Sequence, residues 1–319
     1  MEASSITALK NSHWARGNRN FQDREAGLVE EVLNQREAIY LLSDSHELDK
    51  ACELFRISYT HNDWDEANKV ADYLHTLAEN LYHTQLRNAA DGKYETLDTK
   101  HPLVFYYAYS YLAKSIYYQN MGKYEEARNY IMKYSEMGWF MGLDQSGHEE
   151  VERFRFLAKA NLFTIELLSG RRELLPEYVQ FLHDNDEELL PGLVGIAEAA
   201  NLNNWNIDDL LNDFADDIKI FEGYEDRANR VYYLKLVNQL AIYHFKKKQY
   251  SVALNYVLDS LQFSANVEAD ADFRTLVALF ETYRDLATPS QQEQYQTILL
   301  RGLHNEKGIN LGNYGLGVS

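Results

Sequence analysis

Apolar and polar positions follow a helical period through Val104–Met137. Tyr107, Tyr111, Ser115 and Tyr118 are spaced by four, four and three; Tyr124, Ala127, Tyr130, Ile131 and Tyr134 continue the rhythm beyond Gly122. Such spacings place side chains on one face of a helix. A glycine between two such runs marks where one helix ends and the next begins. The pattern therefore predicts two helices folded back on each other. Ser115 and Ala127 are small enough to let the two backbones approach, with tyrosines filling the space around them. A pair of this kind cannot bury its apolar face alone and needs like neighbours.

The rest of the chain supplies them. Leu28, Val32, Leu33 and Ile39 predict a helix over 25–42, after a weakly patterned segment 1–24 that is partly helical. Residues 46–60 and 63–88 predict a pair turning at His61-Asn62-Asp63, with Trp64 and Ala67 standing where Tyr124 and Ala127 stand. The polar stretch 89–101 reads as an exposed loop. Gly138–Gly147 is a connection carrying Trp139 and Phe140. Helices follow over 149–169, closed by Gly170, and over 173–183, with Pro176 in a first turn where proline is tolerated. Leu190–Asn201 and Ile207–Phe221 form a further pair, with Asn206 as an N-cap and Asp208 and Asp209 favourable to the helix dipole. Residues 225–247 and 250–264 repeat the central pattern, Tyr250, Ala253, Tyr256 and Val257 matching Tyr124, Ala127, Tyr130 and Ile131. Residues 269–287 and 289–303 close the series, Thr288 capping the last helix. Four glycines in 305–319 exclude a long helix in the tail. No alternating strand pattern occurs.

The order Tyr…Ser-x2-Tyr…Gly-x-Tyr-x2-Ala resembles the tetratricopeptide repeat (TPR). It implies an all-α fold of TPR-like helix-turn-helix repeats over 25–304, stacked into a right-handed superhelical solenoid.

Charge narrows the function. The 319 residues include 31 Lys+Arg against 49 Asp+Glu, a formal net charge of −18. A nucleic-acid surface normally has the opposite sign, and the only basic cluster is Lys246-Lys247-Lys248, which reads as a solvated turn. Direct nucleic-acid binding is not expected. The single Cys52 allows no internal disulfide and no two-cysteine metal motif. No secretion signal and no apolar run of roughly 20 residues is visible, so the expectation is a soluble, cytoplasmic protein.

Catalytic signatures are sparse. There is no phosphate loop, zinc helix or nucleophile elbow, and the histidines are scattered. The run Asp184–Glu188 reads as a solvated face. No enzyme activity, cofactor or metal is expected. Leu193–Phe214 has the length of a DNA-binding helix-turn-helix, but its second helix opens on Asp208 and Asp209 and contains Asp213, which would repel phosphates.

What remains is shape. First helices of stacked pairs line an inner surface. Counting from their small residues gives Arg56, Tyr59, Tyr109, Gln119, Asn120, Asn161, Thr164, Lys235, Asn238 and Ile242 as candidate groove residues. Amides can bond both the donor and the acceptor of an extended peptide, and Arg56 or Lys235 can hold a carboxylate. The expected partner is a short peptide or a protein, with homodimerisation as a further option.

TLAENLYHTQLRN, HPLVFYYAYSYLAKSIYYQNMGKYEEARNYIMKYSEMGW and RRELLPEYVQFLHDNDEELLPGLVGIAEAANLNNWNIDDLLNDF resemble the repeat region of Gram-positive peptide-pheromone-receptor (RRNPP-like) transcriptional regulators. The likeness runs from about Phe21 to Ile220 and is most specific over Leu174–Phe214. It implies a repeat array that binds a short signalling peptide, coupled in the family to an N-terminal DNA-binding helix-turn-helix. Here no basic helix-turn-helix precedes the repeats. The resemblance thus implies either a sensor region or a relative acting on a protein partner, as a scaffold or response-regulator antagonist. It assigns no ligand residue.

Overall fold

The computed structural model describes residues 44–92, 97–224, 226–264 and 270–305. The expectations for 1–24, for a helix over 25–42 and for the tail beyond Asn305 lie outside the described residues. Among those described, the chain is all-α, with no strand. It divides into two compact units at Leu189/Leu190.

The first unit holds α1 (Asp44–Thr60), α2 (Trp64–Ala90), α3 (Leu103–Asn120), α4 (Tyr124–Ser135), α5 (Gln145–Leu168) and α6 (Leu175–Asp184). Each helix packs on the next in sequence, and α3 also packs on both α1 and α5. The amphipathic spacing explains this arrangement. Ala67, Val70, Ala71, Leu74, Ala78 and Tyr82 form the buried stripe of α2, and Ala127, Ile131 and Tyr134 that of α4. Ser115 and Ala127 are both buried, as their size predicts. α3 lies between two neighbours and buries Leu103 through Ala108 without interruption.

The turns repeat one device. Asn62, Gly122, Gly170, Asn204 and Lys248 all have positive φ, between 55° and 94°. Each lies one or two residues past a helix end, and the residue after it donates its backbone N–H five residues back: Asp63 to Ser58, Lys123 to Tyr118, Arg171 to Glu166, Trp205 to Ala200 and Gln249 to His244. This left-handed cap satisfies carbonyls that a helix end leaves open.

The loop expected over 89–101 is shorter and partly fixed. Ala89 and Ala90 still belong to α2, and 97–102 form a strap. Lys100 donates from its backbone N–H to Asp49 and from Nζ to Glu53, both on α1, at 3.3 and 3.1 Å. His101 stacks on Phe105 at 4.0 Å, and its Nδ1 lies 3.8 Å from Glu150 on α5.

The second unit holds α7 (Leu189–Asn203, from Leu190 onward), α8 (Asp208–Asp213), α9 (Ala215–Phe221), α10 (Arg227–Lys246), α11 (Tyr250–Ser264), α12 (Asp270–Thr282) and α13 (Pro289–Asn305). Leu254, Leu258, Leu261, Phe280 and Tyr295 centre its core. Thr288 and Gln291 cap α13 reciprocally: Gln291 N–H donates to Thr288 Oγ1 at 3.3 Å, and Thr288 N–H to Gln291 Oε1 at 2.9 Å.

Three expected boundaries move. The helix expected at 149 begins at Gln145, because Asp144 Oδ1 accepts the Gly147 N–H at 2.7 Å and caps the first turn. A Cβ on Gly147 would meet Leu143 Cδ2 at 2.9 Å, so the leucine side chain would have to shift to admit one. The helix expected over Ile207–Phe221 is two helices, broken at Phe214, whose ring is buried between exposed Asp213 and Ala215. The helix expected to reach 287 ends at Thr282, and a short 3-10 turn, Arg284–Leu286, follows.

Candidate functional site

In the first unit, α1 and α3 bring three of the ten candidates together. Arg56 on α1 is hydrogen-bonded to the Tyr109 hydroxyl on α3. Phe55 stacks with Tyr59 at 6.5 Å and meets Tyr109 edge-on at 5.9 Å; Tyr59 meets Trp64 at 5.8 Å. The result is a permanent cation in an aromatic corner, with Arg56 exposed.

A second polar group lies where α3, α4 and α5 meet. Tyr134 is fully buried, and Asn161 Nδ2 donates to its hydroxyl at 2.9 Å. Ser115 is hydrogen-bonded to the same hydroxyl. Ser115 gives its own proton to the Leu112 carbonyl at 2.7 Å. Burial pushes the Tyr134 phenol far above its usual range. On the same helix, Thr164 Oγ1 shares a hydrogen bond with the buried Tyr178 hydroxyl at 3.1 Å. Asn161 and Thr164 thus face tyrosines of α4 and α6. Asn120 turns back on its own helix, Nδ2 donating to Ile116 O at 2.8 Å, while Gln119 beside it is part-buried.

Glu188 was not among the candidates. It ends the short 3-10 turn Asp186–Glu188 and lies within electrostatic reach of Tyr134. Burial, with Glu187 adding to it, pushes its carboxyl up to about 7. In the sequence it is the one carboxylate of the Asp184–Glu188 run that abuts the apolar Leu189-Leu190, and that adjacency was the available signal.

The remaining candidates belong to the second unit. Lys235 on α10 acts electrostatically on Glu198 of α7, whose carboxyl burial raises while Lys235 opposes the rise. Asn238 Oδ1 accepts from Ser260 Oγ at 2.9 Å. Ile242 is 40% exposed. The lysines expected to form a solvated turn are partly engaged: Lys246 Nζ donates to Asn201 O, and Lys247 pairs with Asp208. Asp208 in turn accepts from the Tyr243 hydroxyl at 2.8 Å, so the acidic start of α8 is tied to α10. Asn206 accepts the Asp208 N–H at 2.9 Å in the turn before α8, but the N-cap position expected of it falls to Ile207, whose carbonyl accepts the Leu211 N–H.

Among the described residues, no group of three or more His, Cys, Asp or Glu side chains is placed to hold a metal ion. No described helix is long and apolar enough to cross a membrane. Comparison of the chain with protein-family models, curated proteins and solved structures gave no match.

Proposed function

We propose that the chain is a non-enzymatic regulatory protein of TPR-like helical repeats, which binds a short signalling peptide and thereby controls transcription or a partner protein. The observation that carries this reading is the Arg56–Tyr109 corner across α1 and α3, a cation set among rings on the face where first helices pack on first helices. Arg56 offers a fork for a peptide carboxylate, and the rings of Tyr59 and Tyr109 offer apolar contact. The recurring left-handed caps, and the α1–α3–α5 contacts beside the sequential ones in the first unit, support a succession of repeat-like helix pairs. The net charge of −18 favours control through a peptide or protein over direct DNA contact.

Calorimetric titration of the purified chain with synthetic peptides of five to ten residues tests this. Binding by a free-carboxylate peptide, weakened about tenfold or more in Arg56→Ala, supports it. No heat and no stabilisation with any peptide counts against it.

One observation favours a second reading, a scaffold or response-regulator antagonist without a peptide ligand. Trp139 and Met141, between α4 and α5, are 51% and 64% exposed. Trp139 is braced by Tyr82, Tyr107 and Phe140, and the Met141 N–H donates to the Tyr82 hydroxyl at 3.2 Å. A braced exposed indole has the character of a protein-interface anchor. A folded partner that stays bound regardless of peptide, and is lost with Trp139→Ala, would establish this reading instead.

A further inference from the structure

α2 and α4 both pack on α3 and hardly on each other, so a trough lies between them with α3 as its floor. Tyr107, Tyr111, Lys114 and Tyr118, spaced by four, three and four, form one stripe along that floor. The rings follow one another: Tyr107 meets Tyr111 at 5.5 Å, Tyr111 meets Tyr130 of α4 at 6.1 Å, and Tyr130 stacks on Tyr118 at 5.4 Å. Exposed Trp139 meets Tyr107 edge-on at 5.7 Å and extends the row at one end. Tyr111, Tyr118 and Tyr130 are only part-buried. The walls face inward. From α2, the His75 ring lies 4.8 Å from Tyr111, and Asp72 and Asn68 each take the buried Lys114 Nζ at 2.7 Å. From α4, Lys133 Nζ stands 4.3 Å from the Tyr130 centroid and 5.3 Å from that of Tyr111, and acts on His75 across the trough. Lys133 is exposed, and among the described residues no carboxylate lies within ion-pairing distance of it. Tyr109 is about 200° round the helix from Tyr107, so the trough is a different surface from the Arg56–Tyr109 corner.

We propose that this trough docks a proline-rich segment of a partner protein, in the polyproline II conformation and carrying acidic residues. The described residues offer no sheet edge to an added strand, and phenol hydroxyls and charges along the trough suit an amphipathic helix poorly. A row of tyrosine and tryptophan rings is the surface on which proline-rich segments lie. Polyproline II makes no internal hydrogen bonds, so its carbonyls need donors. Tyr107 is hydrogen-bonded to Tyr111, and Tyr118 to Tyr130. One bond between two hydroxyls uses one proton, so each pair keeps another to give. From Tyr107 to Tyr118 the floor runs about 16 Å, room for about five residues of such a segment. Charge selects among proline-rich segments. Of the carboxylates on the α2 wall, Asp72 is matched by Lys114 and Glu79 acts on His75 of its own helix. Lys133 is left for an acidic side chain of the ligand. The proposal does not rest on the peptide reading of the Arg56 corner.

The test titrates the full chain with the peptide Pro-Pro-Glu-Pro-Pro-Glu-Pro-Pro, capped at both ends, and follows its proline protons by NMR. The controls are the same peptide with alanine for every proline, the same with lysine for every glutamate, and a single-stranded oligothymidylate. The proline signals should move upfield, as protons over aromatic rings do. Binding should weaken about tenfold in Tyr130→Ala, which removes a ring of the row, and about threefold in Lys133→Ala. Lys133 is exposed, so its variant keeps the test decisive even if Tyr130→Ala folds poorly. Arg56→Ala should leave binding unchanged. No upfield shift, equal binding of the alanine or lysine peptide, tighter binding of the oligothymidylate, or full binding by Lys133→Ala would overturn the proposal. The two readings fail separately. Loss in Arg56→Ala with Lys133→Ala intact moves the peptide to the corner and removes the trough alone; loss in Lys133→Ala, with no free-carboxylate peptide sensitive to Arg56→Ala, removes the corner alone.

Discussion

Asn161 Nδ2 stands 2.9 Å from the hydroxyl of Tyr134, the fully buried ring at the junction of α3, α4 and α5. Asn161 and Ser115 both meet this hydroxyl, and Ser115 donates on to the Leu112 carbonyl. Removing the phenol oxygen strands the Asn161 amide. Tyr134→Phe should lower unfolding stability by about 1–3 kcal/mol, and Asn161→Ala by a similar amount. Urea unfolding followed by circular dichroism measures both. The double variant should cost less than the sum, because the residues share one bond.

The left-handed caps give opposite predictions at equivalent turns. Lys248 holds φ 59°, where a side chain is unfavourable and glycine is not. Lys248→Gly should raise the thermal midpoint, by roughly 0.5–1 kcal/mol of stability. Gly122, at φ 68°, already has the better residue. Gly122→Ala should destabilise by about 1 kcal/mol, although a Cβ there would meet no neighbour within 4 Å. A scan of both variants separates backbone strain from packing.

Glu166 joins α5 to α4 and to the turn after it. Its carboxylate takes Arg128 Nε at 2.7 Å and Arg171 Nη1 at 2.9 Å, with only 12% of its side chain exposed. Glu166→Ala leaves two guanidiniums without their shared partner and should cost about 2 kcal/mol. Arg171→Ala removes the more exposed partner and should cost less than half as much. Hydrogen exchange along α4 and α5 would locate the loss.

Glu188 gives a pH prediction. Its folded pKa, about 7, lies above that of an unfolded glutamate. Between those values the folded chain keeps a proton that the unfolded chain has lost, so stability falls as pH rises through that window and then levels off. Glu188→Gln should flatten the decline and leave the variant the more stable at pH 8. Asp259, pushed up to about 6 by burial and by Glu222, adds a smaller slope of the same sign. Denaturation midpoints between pH 5 and 8 read both.

Much of the helix order was legible because two signals coincide: apolar residues three and four apart, and a residue suited to left-handed backbone between them. Asn62 and Gly122 announced their turns; Lys248 did so only through the Tyr250/Ala253 pattern beside it. The start of α5 was misplaced because Gly147 reads as a breaker, whereas its N–H is the atom Asp144 caps. The break at Phe214 was hidden because the apolar spacing runs through it. Counting along first helices named Arg56 and Tyr109, which the structure places against each other. Counting could not show that Asn161 and Thr164 answer buried phenols, because a tyrosine on another helix has no sequence distance from them. Glu188 was masked by the acidic company it keeps.

The strap at Lys100 and His101 has a mechanical consequence. By gripping Asp49 and Glu53 on one side and approaching Glu150 on the other, it links two helices far apart along the chain. Fraying of α1 must loosen this clasp before it can spread, and loosening the clasp withdraws a neighbour from α5. Local opening at one edge of the first unit is thereby felt by the helix that carries Asn161.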